Sequence, residues 1–225
     1  MGKISQGILG GLSGKVGNVI GGNWKGIDYL RIKPSSVANP RTVGQVNQRN
    51  KFSATIQFLQ PNKDFLNLGY KAFAVKKTAF NSAMSYILGN AITGTAPNFN
   101  VDYSLALLSR GSLSTPLNPT TDLTTAGQVT FDWDDNSADG NANTTDKAMV
   151  LAYNPSKKES IYLLDGAIRT ATTQVLTLPA SYTGDTIELF MAFISDNGKV
   201  VSNSVYLGSG LSLIHISEPT RLRRI

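Results

Sequence analysis

Four residues of one acidic segment have the types and spacing of a calcium site. Within Asp132–Asp146, Asp135, Ser137, Asp139 and Asp146 fall on loop positions 1, 3, 5 and 12 of the EF-hand pattern, and Gly140 on position 6. Carboxylate and hydroxyl oxygens suit a hard cation, and glycine permits the sharp turn. Two features depart from the pattern: the last residue is Asp rather than Glu, and both flanks read as strands. The alternative is a solvated loop of turn-forming residues. Asp134 and Asp135 could serve as paired carboxylates, but they are adjacent and nothing evident separates their acidities, so general acid–base work is not expected of them.

Other catalytic chemistry lacks its residues. The sequence has no cysteine, which excludes disulfides, thiol nucleophiles and cysteine-based zinc sites. Its single histidine is His215. The glycine-rich start fails as a phosphate loop, because Gly14-Lys15 is followed by Val16 and Leu9 stands where the first glycine belongs. Gly11–Gly14 and Gly14–Gly17 have the G-x-x-G form, without the flanking helices that such RNA-binding loops need. The expectation is a protein that is not an enzyme and carries no cofactor, calcium aside.

Residues 211–225 read as something other than natural protein. Leu211–Arg221 matches the translation of a transposase end joined to a library-preparation adapter, Leu222–Arg224 fits a sample barcode, and Ile225 fits the adapter resuming. Such scars are set aside in reasoning about fold. A disordered, non-native tail is expected there, and with it goes His215.

Charge divides the rest. Residues 1–100 carry 12 Lys and Arg against Asp28 and Asp64, whereas residues 101–210 carry 6 against 12 acids. The basic half holds a candidate interaction surface: Arg31, Lys33, Arg41, Arg49, Lys51, Lys71, Lys76 and Lys77, interleaved with Trp24, Tyr29 and Tyr70. Such mixtures bind nucleic acid. A positive segment can equally meet the negative half of a neighbouring copy, giving head-to-tail assembly. A solvated surface is the bland third reading.

The elements that position these residues follow from hydropathy patterning. Val16–Ile20 and Trp24–Lys33 have strand composition, with Gly21, Gly22 and Asn23 as the expected turn of a hairpin. Asn39-Pro40 is a helix start, the Asn side chain accepting an orphan N–H and Pro needing no partner. Val43, Val46, Phe52, Ile56 and Leu59 form its apolar stripe, and Pro61 ends it. Phe65–Phe73 predicts a second helix, or a continuation of the first after a kink at Pro61, and Thr78 caps a further helix over Ala79–Ala91. Seven strands are then expected at 103–108, 128–133, 148–153, 160–164, 174–178, 186–194 and 199–206. Seven short strands separated by turns argue for an antiparallel β-sandwich of fibronectin type III or immunoglobulin kind. Trp133 is expected in its core, and Tyr182 after Leu178-Pro179 resembles a tyrosine corner, pinned by a hydrogen bond. The fold class is thus mainly β with a small α+β N-terminal module: residues 1–100 as basic hairpin plus helices, 101–210 as sandwich. No stretch spans a bilayer, and the glycines of the first twenty residues interrupt any signal-peptide core.

Several strings resemble one uncharacterised bacterial family: Gly2–Gly17, Trp24–Tyr29, Asn39-Pro-Arg-Thr42, Lys77–Asn81, Asn90–Gly94, Trp133–Ser137 and Ser202–Gly208. It is identified as domain-of-unknown-function family six-two-six-six, of bacteroidete-type bacteria, and the resemblance brings no established activity. The order hairpin, Asn39–Thr42, Gln45, Gln48-Arg49 and Phe52 also resembles the start of uncharacterised phage and prophage proteins, although the following helices lack the tryptophans of that pattern. The sequence therefore predicts a structural or interaction protein, phage- or prophage-derived, working through a protein partner or self-association, cytoplasmic or virion-associated. Nucleic-acid binding through the basic half is the alternative.

Overall fold

The computed structural model describes residues 3–4, 11–24, 26–36, 39, 41–75 and 77–213. Pro40, Lys76 and His215, with the expectations that fall on them, lie outside the described residues. The chain divides into two compact units, residues 1–42 and 43–225. The boundary expected at residue 100 therefore falls inside the second unit.

The first unit is an antiparallel meander of β1 (Lys3–Ile4), β2 (Leu12–Val16), β3 (Val19–Trp24) and β4 (Ile27–Ile32), in that spatial order. Gly21 and Gly22 lie inside β3 rather than in a turn. Two close approaches explain the correction. A β-carbon on Gly21 would stand 1.9 Å from the Leu12 carbonyl oxygen, and one on Gly22 would stand 3.0 Å from the Tyr29 ring. Tyr29 is the cross-strand neighbour of Gly22, so its ring covers bare backbone.

The second unit has three layers. Strands β7 (Leu117–Asp122), β8 (Gln128–Asp134) and β11 (Thr173–Thr177) form one sheet, in the order β11-β8-β7. Strands β9 (Lys147–Asn154), β10 (Glu159–Leu163), β12 (Thr186–Ile194) and β13 (Val205–Leu211) form the other, in the order β10-β9-β12-β13. All pairings are antiparallel. Three strands on four in this order make the fibronectin type III arrangement. Val129, Phe131 and Trp133 alternate inward from β8 and meet Val150, Leu189, Met191 and Phe193 in the sandwich core.

The opposite face of the four-stranded sheet carries the third layer. Helices α1 (Val43–Leu59), α2 (Lys63–Gly69) and α3 (Ala79–Asn90) bury Phe58, Leu59, Phe65, Leu66, Met84 and Ile87 in one cluster with Met149, Leu151, Tyr153, Phe190 and Ala192. Strands buried on both faces read as continuous apolar runs rather than alternating ones. Ala148–Tyr153 and Leu189–Ile194 are such runs, which is why the helices belong to the sandwich and not to a separate N-terminal module. Fully burying a side chain such as Phe58 contributes about 1.5–3 kcal/mol. The Thr78 cap forms as expected, accepting the Asn81 N–H at 3.1 Å. Helix α1 begins at Val43, three residues after the expected start, and Arg41 adopts a left-handed φ of 44°.

Two strand expectations fail, at 103–108 and at 199–206, where the last strand is instead β13 at Val205–Leu211. Tyr103–Leu108 is not a strand but a half-buried connection, with Ala106 and Leu108 in the helix–sheet cluster and Leu105 exposed. The first sandwich strand is β7, whose polar sequence and Pro119 conceal it; the register shift between Leu117 and Thr120 accommodates the proline at this edge. A hairpin of β5 (Ile92–Thr95) and β6 (Asn98–Val101) follows α3. At the other end, β13 includes Leu211, and Ser212 is buried, its N–H donating to the Asp185 carbonyl at 3.0 Å. The fold thus runs past residue 210, where the tail was expected to begin.

Candidate interaction surface

The acidic segment is organised around a guanidinium. Arg169, in a 3-10 turn at Arg169–Ala171, is fully buried. Its Nε donates to Asp146 Oδ2 at 3.2 Å, its Nη1 to Asn136 Oδ1 at 2.6 Å, and its Nη2 to the Ser114 carbonyl at 3.0 Å. The guanidinium lies 3.8 Å from the centroid of the Phe193 ring, and the Trp133 indole N–H donates to the Arg169 carbonyl at 2.7 Å. Asp146 is buried with it. The expected calcium ligands are not brought together. Asp135 accepts the Ser137 N–H at 3.0 Å as a local turn, Asp139 is exposed, and Asp134 accepts from the Asn118 amide at 2.8 Å. Among the described residues no three His, Cys, Asp or Glu side chains group to hold a metal ion. Arg169 carries no local sequence signal that it would enter this loop, since it lies 23 residues from Asp146.

Tyr182 is buried at the corner before β12, as expected, but its hydroxyl has no partner among the described residues. Burial raises that phenol to about 12. The neighbouring turn is pinned instead by Asp185, which accepts from the Asn154 amide at 2.7 Å and pairs with the Lys157 ammonium. These bonds hold the Asp185 carboxyl below its ordinary range.

The basic set is divided between the two units. Arg31, Lys33 and Arg41 belong to the first unit, and Arg49, Lys51, Lys71 and Lys77 to the second. Lys51 lies 5.0 Å over the Phe99 ring, and Lys71 donates to the Gly198 carbonyl at 3.3 Å. Of the interleaved aromatics, Tyr70 is buried and donates its hydroxyl to the Leu107 carbonyl at 2.9 Å, so it offers no stacking face.

Exposed apolar surface is what the basic regions share. All six residues of β4 are exposed, including Ile27, Tyr29, Leu30 and Ile32, the last at 79%. On α1, Val43, Val46 and Phe52 are exposed, and the helix has no buried residue before Thr55. Side chains alternate across a strand, so on β4 Ile27 and Tyr29 share one face and Leu30 and Ile32 the other, leaving both faces with exposed apolar groups.

A short segment fastens the connection between helices and sandwich. Ser204 Oγ accepts the Leu108 N–H at 2.9 Å, Ser109 Oγ donates to the Ser202 carbonyl at 2.7 Å, and Asn203 Oδ1 accepts the Gly111 N–H at 3.1 Å. Ser202–Ser204 thereby satisfies the backbone of a buried loop.

No helix among the described residues is long and apolar enough to cross a membrane. No curated protein matches the chain. Among solved structures, the fibronectin type III domain of the human collagen alpha-1(XX) chain is similar, at 15% identity and a TM-score of 0.33, covering 50% of this chain and 98% of that one. The family model that matches covers residues 11–208, and the chain accordingly belongs to DUF6266, a family of unknown function.

Proposed function

We infer that this protein is a non-enzymatic assembly component: a rigid fibronectin-type body that carries a basic, apolar β-sheet for binding other protein surfaces. The observation that carries the reading is β4, a strand with every side chain exposed and four of six large and apolar. A small sheet of this kind is marginal in water until a hydrophobic face is covered. Of the carboxylates singled out by the sequence, Asp134 accepts from the Asn118 amide, Asp135 accepts the Ser137 N–H, and Asp146 pairs with Arg169. The likeness of the Asn39–Phe52 region to phage and prophage proteins makes a particle or its assembly the natural setting. Sizing by light scattering at low and high salt, with a gel shift against mixed DNA and RNA, tests this. Masses above that of one chain support it. A monomer at every concentration that shifts nucleic acid would replace it with the alternative.

A further inference from the structure

We propose that the cleft between α1 and the turn joining β9 to β10 is a binding site for an acidic sugar, a uronic acid either free or at the end of a glycan. The site lies within the second unit and is independent of the assembly reading.

The cleft has a volume of about 240 Å³, and its walls include Gln57 of α1, Phe99 and Asn100 of β6, Tyr103, Tyr153 of β9 and Lys158. A second hollow of about 330 Å³ adjoins it, sharing Gln57 and Lys158 and adding Gln60 and Pro61. Drug-sized ligands fill clefts of about 300–1,000 Å³. The inner cleft therefore suits one sugar ring, and the outer hollow the next ring of a chain.

Hydrogen-bonding capacity is unused here. Among the described residues, the side chains of Asn100, Tyr103, Tyr153 and Lys158 have no hydrogen-bond or ion partner. Tyr153 is only 3% exposed, yet it lines the cleft. A phenol left unpaired in so buried a position costs free energy until a donor or acceptor reaches it. Burial pushes Tyr153 up to about 12 and raises Tyr103 as well, so both hydroxyls keep their protons at neutral pH and can donate.

Lys158 is held at the mouth by its turn. Its φ of 57° is left-handed, and the Asn154 side-chain oxygen accepts the N–H groups of Ser156 and Lys157 at 3.0 and 3.1 Å. Such strain at a non-glycine residue gathers at ligand clamps.

These groups select the ligand class. Amides and phenols both donate to and accept from hydroxyl groups. The half-buried Phe99 and Tyr103 offer carbon surface to the C–H face of a sugar ring. The Lys158 ammonium supplies a charge-assisted partner for a carboxylate, and no Asp or Glu lines either hollow. Glu188, whose charge Tyr103 feels, is bonded by the Tyr206 hydroxyl at 2.6 Å and is not a wall of the cleft.

The test is a titration of the full chain with sodium glucuronate, glucose or sodium acetate at constant ionic strength, followed by amide NMR shifts. Glucuronate is expected to bind with a Kd of about 1 mM, glucose about tenfold more weakly for want of the carboxylate, and acetate not measurably. Lys158→Asn keeps a residue that tolerates the left-handed turn and is expected to level glucuronate with glucose. Gln57→Ala, on the exposed side of α1, is expected to weaken both sugars, and an unchanged melting temperature shows that the variants fold. No shifts with glucuronate overturn the site. Acetate binding as well as glucuronate, or glucose as well as glucuronate, overturns the ligand class. Variants that bind glucuronate like wild type place the binding elsewhere and overturn the inference.

Discussion

Arg169 Nη2 stands 3.2 Å from Asp146 Oδ2, with the two side chains 0% and 1% exposed. Of the four residues whose spacing suggested a calcium site, Asp146 is thus bound by a guanidinium. Removing one partner of such a pair leaves an uncompensated buried charge, at a cost of about 3–5 kcal/mol. Arg169→Met is expected to destabilise the second unit by that order in denaturant titration. Calcium is expected to leave the melting temperature of the wild type unchanged, and a rise with added calcium would restore the metal reading.

Phe58 joins the helical layer to the sheet. Its ring centroid lies 5.4 Å from that of Tyr103, 5.1 Å from Tyr153 and 6.2 Å from Phe190. Phe58→Ala is expected to cost about 3–5 kcal/mol. Because helices and sandwich share that core, calorimetry of the whole chain should show both lost in one transition. A helical signal that melts separately from the strands would contradict the shared core.

Backbone proximity makes two glycines respond oppositely to alanine. A β-carbon on Gly111 would stand 1.9 Å from the Val201 carbonyl oxygen, whereas one on Gly89, inside α3, meets nothing within 4 Å. Gly111→Ala is expected to destabilise by about 1–3 kcal/mol through forced backbone movement. Gly89→Ala is expected to stabilise by about 0.5–1 kcal/mol, from helix propensity alone. Chemical denaturation of the two variants reads both signs.

Asp185 gives a pH dependence of known direction. Hydrogen bonds from Lys157 and Asn154 hold its carboxyl below the ordinary 3.8 in the folded chain. The unfolded chain therefore binds the proton more tightly, so this contribution to stability is present above the ordinary value and is lost as pH falls through the depressed one. Asp185→Asn is expected to flatten the acid limb of a stability-versus-pH curve, while an unchanged limb would show that the pairing is not felt in solution.

What the sequence determined by itself was local. Alternation made β8 legible, Thr78 announced α3 through its cap, and seven strands with turn signals implied the sandwich. Those signals lie within a few residues, where backbone sterics and side-chain period act. Tertiary structure alone decided the rest. Helix and sheet faces must be covered by elements far away in the chain, so the placement of α1–α3 on the sandwich appeared only indirectly, as runs apolar on both faces. Tyr103–Leu108 is also largely apolar and became a half-buried connection instead. Within the acidic loop Asp146 is paired by Arg169, because a buried carboxylate needs a cation or donors within reach, and sequence spacing carries no information about a partner that arrives from another strand connection.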